Sequence, residues 1–102
     1  MATFALELQS IASSALTSSY QAINADGIEE PSNSLSLVND SSQNVTISFD
    51  GSSDNYVVPD GTIRDWKTDI RNRWKKGTVV YIKGTAGTGN IYLCGTYITN
   101  IG

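Results

Sequence analysis

Residues 83–93, KGTAGTGNIYL, have the glycine spacing of a phosphate-binding loop. In such a loop the last glycine is followed by Lys, which contacts the outer phosphates, and by Ser or Thr, whose hydroxyl binds magnesium. Asn90 and Ile91 occupy those two positions. The β-branched and aromatic residues at 91–98 indicate a strand rather than the helix that a phosphate-binding loop opens. We therefore predict that Gly84 to Gly89 close a C-terminal β-hairpin and bind no ATP or GTP.

Few other residues in the sequence could do chemistry. The chain has no His and one Cys, which excludes histidine-dependent nucleophilic catalysis and histidine metal sites. Cys94 lies in an apolar run and is predicted to be buried and unreactive. Asp50 and Asp54 are spaced like the first ligands of a calcium loop, but Asn55 and Gly61 stand where that loop needs Gly and Glu. We expect no enzyme activity, no cofactor and no bound metal.

Charge is divided unevenly along the chain. Residues 1–63 contain eight acidic residues and no basic one, whereas all seven Lys and Arg lie between residues 64 and 83. Both Trp residues lie in this basic stretch, and Trp and Arg are enriched at the energetic centres of protein interfaces. The predicted interface residues are Trp66, Arg71, Arg73, Trp74, Lys75 and Lys76.

The same stretch allows other interpretations. Trp and Tyr rings can stack on sugars, so a carbohydrate-binding or host-attachment module is the alternative function. Basic residues beside aromatic rings also suit single-stranded nucleic acid. The net charge of −3 argues against nucleic acid, because phosphate binding needs a dominant basic face. A solvated loop with at least one Trp in the core is the simplest alternative.

Short strands separated by turns are predicted for most of the chain. In residues 44–50, Val45, Ile47 and Phe49 alternate with polar residues, which is the period of a half-buried strand. Other predicted strands are 4–8, 16–23, 35–38, 56–58, 78–83 and 90–98, with turns at 39–43 and 50–55. This pattern predicts one all-β domain over residues 1–102, an antiparallel β-sandwich of jelly-roll-like or barrel-like form.

Residues 62–76 fit two local structures. Apolar residues at 63, 66, 70 and 74 have helical spacing, and Thr62 and Gly77 are suitable helix caps. The alternative is a strand from Thr62 to Trp66 followed by a basic loop.

Four segments resemble, in order and spacing, a group of small bacteriophage virion proteins. They are Ser19 to Ala22, Val45 to Gly51, Val58 to Gly61 and Lys75 to Gly89, and the likeness extends over most of residues 15–98. The resemblance implies a β-sandwich built into the phage particle, as an accessory protein of the head shell, the head–tail junction or the tail. It implies no catalytic residues, and it favours strand plus loop for residues 62–76.

The resemblance also implies location and partners. The protein is expected in the virion, assembled in the host cytoplasm, in contact with copies of itself and with capsid, portal or tail proteins. No membrane contact is expected, because no segment has the roughly 20 apolar residues that a membrane helix needs. An acidic body and a basic segment suit head-to-tail contacts between copies. Residues 1–14 are predicted to form an extended arm that packs on a neighbouring subunit, or else to join a sheet.

Overall fold

The protein, seen in a computed structural model that describes residues 2–68 and 71–99, is built almost entirely of β-strands. A single 3-10 turn at Ser13–Ala15 is the helical element within those ranges. The strands are β1 (Ala2–Ala5), β2 (Gln9–Ala12), β3 (Gln21–Ala22), β4 (Ser34–Ser41), β5 (Val45–Ser48), β6 (Tyr56–Val58), β7 (Ile63–Lys67), β8 (Tyr81–Gly84) and β9 (Gly89–Thr99).

The strands form two sheets in which every pairing is antiparallel. Sheet A has the order β1-β9-β4-β7, and β2 also pairs with β9; sheet B has the order β3-β8-β5-β6. The chain crosses between the sheets at nearly every connection, and this interleaved order is that of a jelly roll. The predicted all-β sandwich is confirmed.

The core lies between the two sheets and follows from the alternation within each strand. In β4, Leu35 and Leu37 are fully buried while their neighbours along the strand are only half-buried. In β5, Val45 and Ile47 are buried on either side of the half-buried Thr46, and Ser48 is buried as well. Since successive side chains of a strand point to opposite faces, each strand contributes its apolar face to the interior. The remaining buried apolar residues are Leu6, Leu16, Ile23, Ile28, Val58, Trp66, Val80, Ile82, Ile91 and Leu93.

A β-bulge separates β1 from β2. Leu6 lies opposite Gly95, to whose carbonyl its amide donates at 2.9 Å, and Gln9 is paired with Leu93. The segment Glu7-Leu8 therefore opposes a single residue of β9, which shifts the register by one residue. The two short strands are thus one interrupted strand along β9.

The predicted C-terminal hairpin is wrong, because β8 lies in sheet B and β9 in sheet A. Gly84 to Gly89 instead cross from one sheet to the other. Gly89 has φ of +93°, and a Cβ at this position would lie 2.2 Å from the carbonyl oxygen of Asp40. The glycines permit the crossover to pass close to the end of β4. A tight turn needs glycines for a similar reason, so the two structures look alike in sequence.

Other local predictions are confirmed or shifted. The strand predicted over 44–50 is confirmed, with observed bounds of Val45–Ser48. Residues 62–76 contain the strand β7 followed by a loop rather than a helix, with Asp69 and Ile70 outside the described residues. The predicted turn at 39–43 starts too early, since β4 continues to Ser41. Asn39 extends the strand because its buried side-chain amide donates to the carbonyl of Val58 at 3.0 Å. The strand predicted over 16–23 is reduced to two residues, and those at 4–8 and 78–83 are displaced along the chain.

We expect Gly89→Ala to destabilise the protein more than Gly61→Ala. Both glycines have positive φ, which costs an alanine about 1–2 kcal/mol. Nothing lies within 4 Å of a Cβ at Gly61, whereas the clash at Gly89 adds about 1–3 kcal/mol. Denaturant unfolding of the two variants measures the difference; equal losses would show that β4 and the crossover do not pack closely.

Candidate interaction surface

The two Trp residues predicted at an interface belong to a cluster of four aromatic rings. Phe49 stacks on Trp74, with ring centroids 4.8 Å apart and planes at 12°, and meets the edge of Trp66 at 5.3 Å. Tyr56 contacts Trp66 at 5.2 Å. Trp66 is only 6% exposed and Trp74 is half-buried. The cluster joins β7 of sheet A to the β5–β6 part of sheet B, so the predicted core Trp is confirmed.

This packing changes what the Trp residues can do. Trp66 has too little exposed surface to contact a partner of the folded monomer, and one face of Trp74 is already covered by Phe49. The indole N–H groups of both residues are buried and have no hydrogen-bond partner among the described residues, which is unfavourable. The two Trp residues do not form the exposed, side-by-side platform that the carbohydrate-binding alternative requires.

The basic residues after β7 lie on an exposed loop that is held against residues 28–32. Trp74 and Ser32 exchange two backbone hydrogen bonds of 2.7 and 2.8 Å, and the amide of Gly77 donates to the carbonyl of Ile28 at 2.8 Å. A Cβ at Gly27 would lie 2.4 Å from the carbonyl oxygen of Gly77, so this close approach also depends on glycine. The exposed basic residues of the loop are Arg71, Arg73, Lys75 and Lys76.

An acidic group lies beside the basic loop at the same end of the sandwich, because residues 28–32 include Glu29 and Glu30. At the β-bulge the amide of Glu7 is free of the ladder and donates to the carboxylate of Glu29 at 2.7 Å. Asp26, Glu29 and Glu7 border a cleft of about 170 Å³, and Glu30 follows next along the loop. All four acidic residues are exposed. Sequence analysis missed this group because Glu7 joins the others only through the bulge.

Several charges of the two groups have no salt-bridge partner among the described residues. In residues 2–68 and 71–99, Arg73, Lys75 and Lys76 have no carboxylate within salt-bridge distance, and no Lys lies within that distance of the acidic group. Arg73 instead donates to the carbonyl of Ile98 at 3.3 Å. Opposite charges at the same end of the molecule are therefore available to bind something else.

Another charged cluster, on sheet B, is satisfied internally. The Lys83 ammonium lies 2.9 Å from a carboxylate oxygen of Asp54 and 4.6 Å from the ring centroid of Tyr20. The Tyr20 hydroxyl donates to the same carboxylate. Desolvation, followed by this hydrogen bond, raises the pKa of Tyr20 to about 12, while the pKa of Asp54 is lowered by Tyr20 and then by Lys83.

The residues that the sequence analysis considered for chemistry, Cys94 and Asp50, form contacts within the chain. The Cys94 thiol was predicted to be buried, and in the structure it is half-buried. It donates to the carbonyl of Ser36 at 3.7 Å. Desolvation raises the pKa of this thiol, and the charge of Asp65 raises it further. The Asp50 carboxylate accepts the amide hydrogens of Ser53 and Ser52, which lower its pKa and shape the turn. Over the described residues, no group of three or more His, Cys, Asp or Glu could hold a metal ion.

In the part of the chain that the structure describes, no helix has the length and apolar character to cross a membrane.

We expect Asp54→Asn to lower the pKa of Tyr20 from about 12 towards the ordinary value of 10.0. The shift is incomplete because desolvation, the largest cause, remains. The raised pKa favours the protonated phenol in the folded protein, so this stabilisation is present below pH about 10 and is lost as pH rises through about 12. NMR titration of labelled tyrosine measures the pKa. Asp60→Asn is the control and should leave it unchanged; an unchanged value in Asp54→Asn would contradict the contact.

Comparison with known proteins gives one informative likeness. No family model and no curated protein matches the chain. A solved structure described as "Bacillus endospore appendages form a novel family of disulfide-linked pili" is similar with a TM-score of 0.52 and 14% sequence identity. The likeness covers 96% of this chain and 89% of that chain. At this identity it shows a shared fold, in agreement with the two antiparallel sheets.

Proposed function

We propose that this protein is a non-enzymatic structural subunit that assembles with copies of itself into a repeating particle. The observation that carries the proposal is the pair of oppositely charged, exposed groups at one end of the sandwich. One group consists of Glu7, Asp26, Glu29 and Glu30, and the other of Arg73, Lys75 and Lys76. Because neither of these groups forms a salt bridge within residues 2–68 and 71–99, a second copy offers each of them a complementary surface.

A head-to-tail contact joins the acidic group of one copy to the basic group of the next and leaves one group of each kind free for a further copy. A symmetric contact would use both groups of each copy at once and would end with a dimer, so the proposed repeating particle requires the head-to-tail form. Heterologous contacts of this kind produce rings when the rotation closes and filaments when it does not. A repeating particle is thus the natural product of this charge distribution.

We propose that the particle is a bacteriophage virion and that the protein is an accessory protein of its head or of its head–tail junction. The support is the resemblance of the ordered segments between residues 15 and 98 to small virion proteins. The shared fold with a pilus protein supports a structural subunit in a broader sense. In this proposal capsid, portal or tail proteins are further partners, and Arg71 contributes to the basic surface.

Self-association should depend on salt and on the two charged groups. We expect Lys75→Glu/Lys76→Glu and Glu29→Lys/Glu30→Lys each to weaken assembly at low salt by about tenfold or more, because each creates like-charge contacts. An equal mixture of the two variants should assemble again, since one then carries acidic and the other basic surfaces. Light scattering over a range of salt concentrations measures assembly, and electron microscopy shows its form.

Asp40→Lys/Asp60→Lys provides the matched control. It changes the net charge as much as Glu29→Lys/Glu30→Lys does, but at the opposite end of β4. This control should assemble like the natural sequence. A chain that stays monomeric at every salt and protein concentration, and is absent from purified particles, would refute the proposed function.

A further inference from the structure

Among the residues that the structure describes, the two end strands of sheet A have no strand beside their outward backbone groups. The amide of Asn39 donates to the carbonyl of Thr62 at 2.9 Å, and the amide of Thr68 donates to the carbonyl of Asn33 at 2.8 Å. In an antiparallel ladder, residues that bond to the neighbouring strand alternate with residues that face away from it. The register between these two pairs therefore shows which residues of β7 bond to β4 and which face outward. The residues of β7 that direct N–H and C=O away from β4 are Ile63, Asp65 and Lys67.

The opposite edge of sheet A is formed by β1, and the same reasoning applies there. Leu6 donates to the carbonyl of Gly95, so Phe4 and Ala2 also face β9. Thr3 and Ala5 therefore direct their N–H and C=O groups outward. Most side chains of both edge strands are exposed, as the patterns of β1 and β7 show.

The directions of these two edge strands are compatible. Four strand positions, β1, β9, β4 and β7, alternate in direction across sheet A. With an even number of positions, the two outermost strands run in opposite directions. When a second copy is placed beside the first in the same orientation, its β1 therefore lies antiparallel to β7, which is the pairing used throughout this fold.

Charge distinguishes this arrangement from the alternatives. β7 and the loop after it, residues 63–76, contain six basic and two acidic residues. The β1–β2 edge and the adjoining loop, residues 2–12 and 24–30, contain four acidic residues and no basic one. β1 itself has no charged residue, and the acidic residues of its edge are Glu7 at the bulge and Asp26 and Glu29 beside it. Pairing β7 with β7 brings like charges together, whereas pairing β7 with β1 places the basic strand near these acidic residues.

Sheet B offers shorter edges. Its outer strands, β3 and β6, have two and three residues, whereas β7 has five. Very short edge strands are one way in which proteins prevent pairing with other chains. An exposed apolar side chain does not distinguish the two sheets, because Ile63 of β7 and Val57 of β6 are each 62% exposed.

We propose that sheet A continues from one copy of the chain to the next through antiparallel pairing of β7 with β1 of the neighbouring copy. This inference rests on the proposed self-assembly and adds the strands that form the contact. Both partners contribute outward N–H and C=O groups, and Ile63 loses its exposure to water against the neighbouring β1. The N-terminal arm predicted from the sequence then has two roles, because residues 2–5 pair with β9 of their own chain and with β7 of the neighbour.

A proline in β7 tests the backbone contact directly. Asp65→Pro removes one outward N–H without removing a hydrogen bond to β4, and Asp65→Ala removes the same side chain while keeping the N–H. We expect the protein concentration at which half of the chains are assembled to be about tenfold or more higher for the proline variant than for the alanine variant. Circular dichroism and thermal unfolding in high salt verify that both variants fold as monomers.

Hydrogen exchange of the natural sequence gives a second measurement that does not depend on the proline variant. Exchange takes place in the assembled state, salt then dissociates the particles, and NMR reads the amides of Ile63, Asp65 and Lys67. We expect these amides to be protected at least tenfold more in the assembly than in the monomer.

Assembly with unprotected amides and equal behaviour of the two Asp65 variants would overturn the strand pairing but leave the proposed function standing. Absence of assembly would overturn both.

Cysteine pairs test the direction of the contact. In a Cys94→Ser background, Ala5→Cys and Asp65→Cys chains are oxidised alone and as a mixture. Head-to-tail pairing predicts mixed disulfide dimers and few dimers of either chain alone. Efficient dimers of one chain alone would indicate a symmetric contact and would overturn the proposal.

Discussion

The hydrogen-bonded ladder of β9 is the interaction on which the rest of this structure depends. β9 spans eleven residues and pairs with β4 along one side and with β1 and β2 along the other. A central strand uses its N–H and C=O groups in both directions, so the unpaired backbone groups of sheet A lie on its outermost strands. The ladder that organises the core therefore also determines which strands a partner can reach.

Local alternation made much of the fold predictable. The apolar faces of β4 and β5 were visible because Leu35 and Leu37 stand two residues apart, as do Val45 and Ile47, and this period depends on the strand alone. The partners of the strands were not visible. Gly84 to Gly89 would serve a hairpin and a crossover equally well in sequence, and only the packing of this segment against Asp40 distinguishes them. Long-range contacts of this kind leave no local pattern.

The interaction surface was predictable in part for the same reason. The exposed basic residues follow from composition, whereas the position of Trp66 in the core depends on its contacts with Phe49 and Tyr56 in the other sheet. Helical spacing at 63, 66, 70 and 74 was misleading, because Ile63 and Trp66 lie on opposite faces of a strand. The acidic group depends on a register shift of one residue at Glu7-Leu8, which no periodicity reveals.

Charged side chains on an edge strand usually act against aggregation, and in β7 they can do so while still permitting one pairing. A basic edge repels its own kind and accepts an acidic one, so the protection against symmetric contacts and the selection of a head-to-tail contact have the same physical origin. Sheet twist then determines the product. Neighbouring strands rotate by roughly 20–25°, and a sheet that continues through successive copies accumulates this rotation. Small adjustments at the contact therefore decide between a closed ring and an open filament, and one fold can serve in either kind of particle.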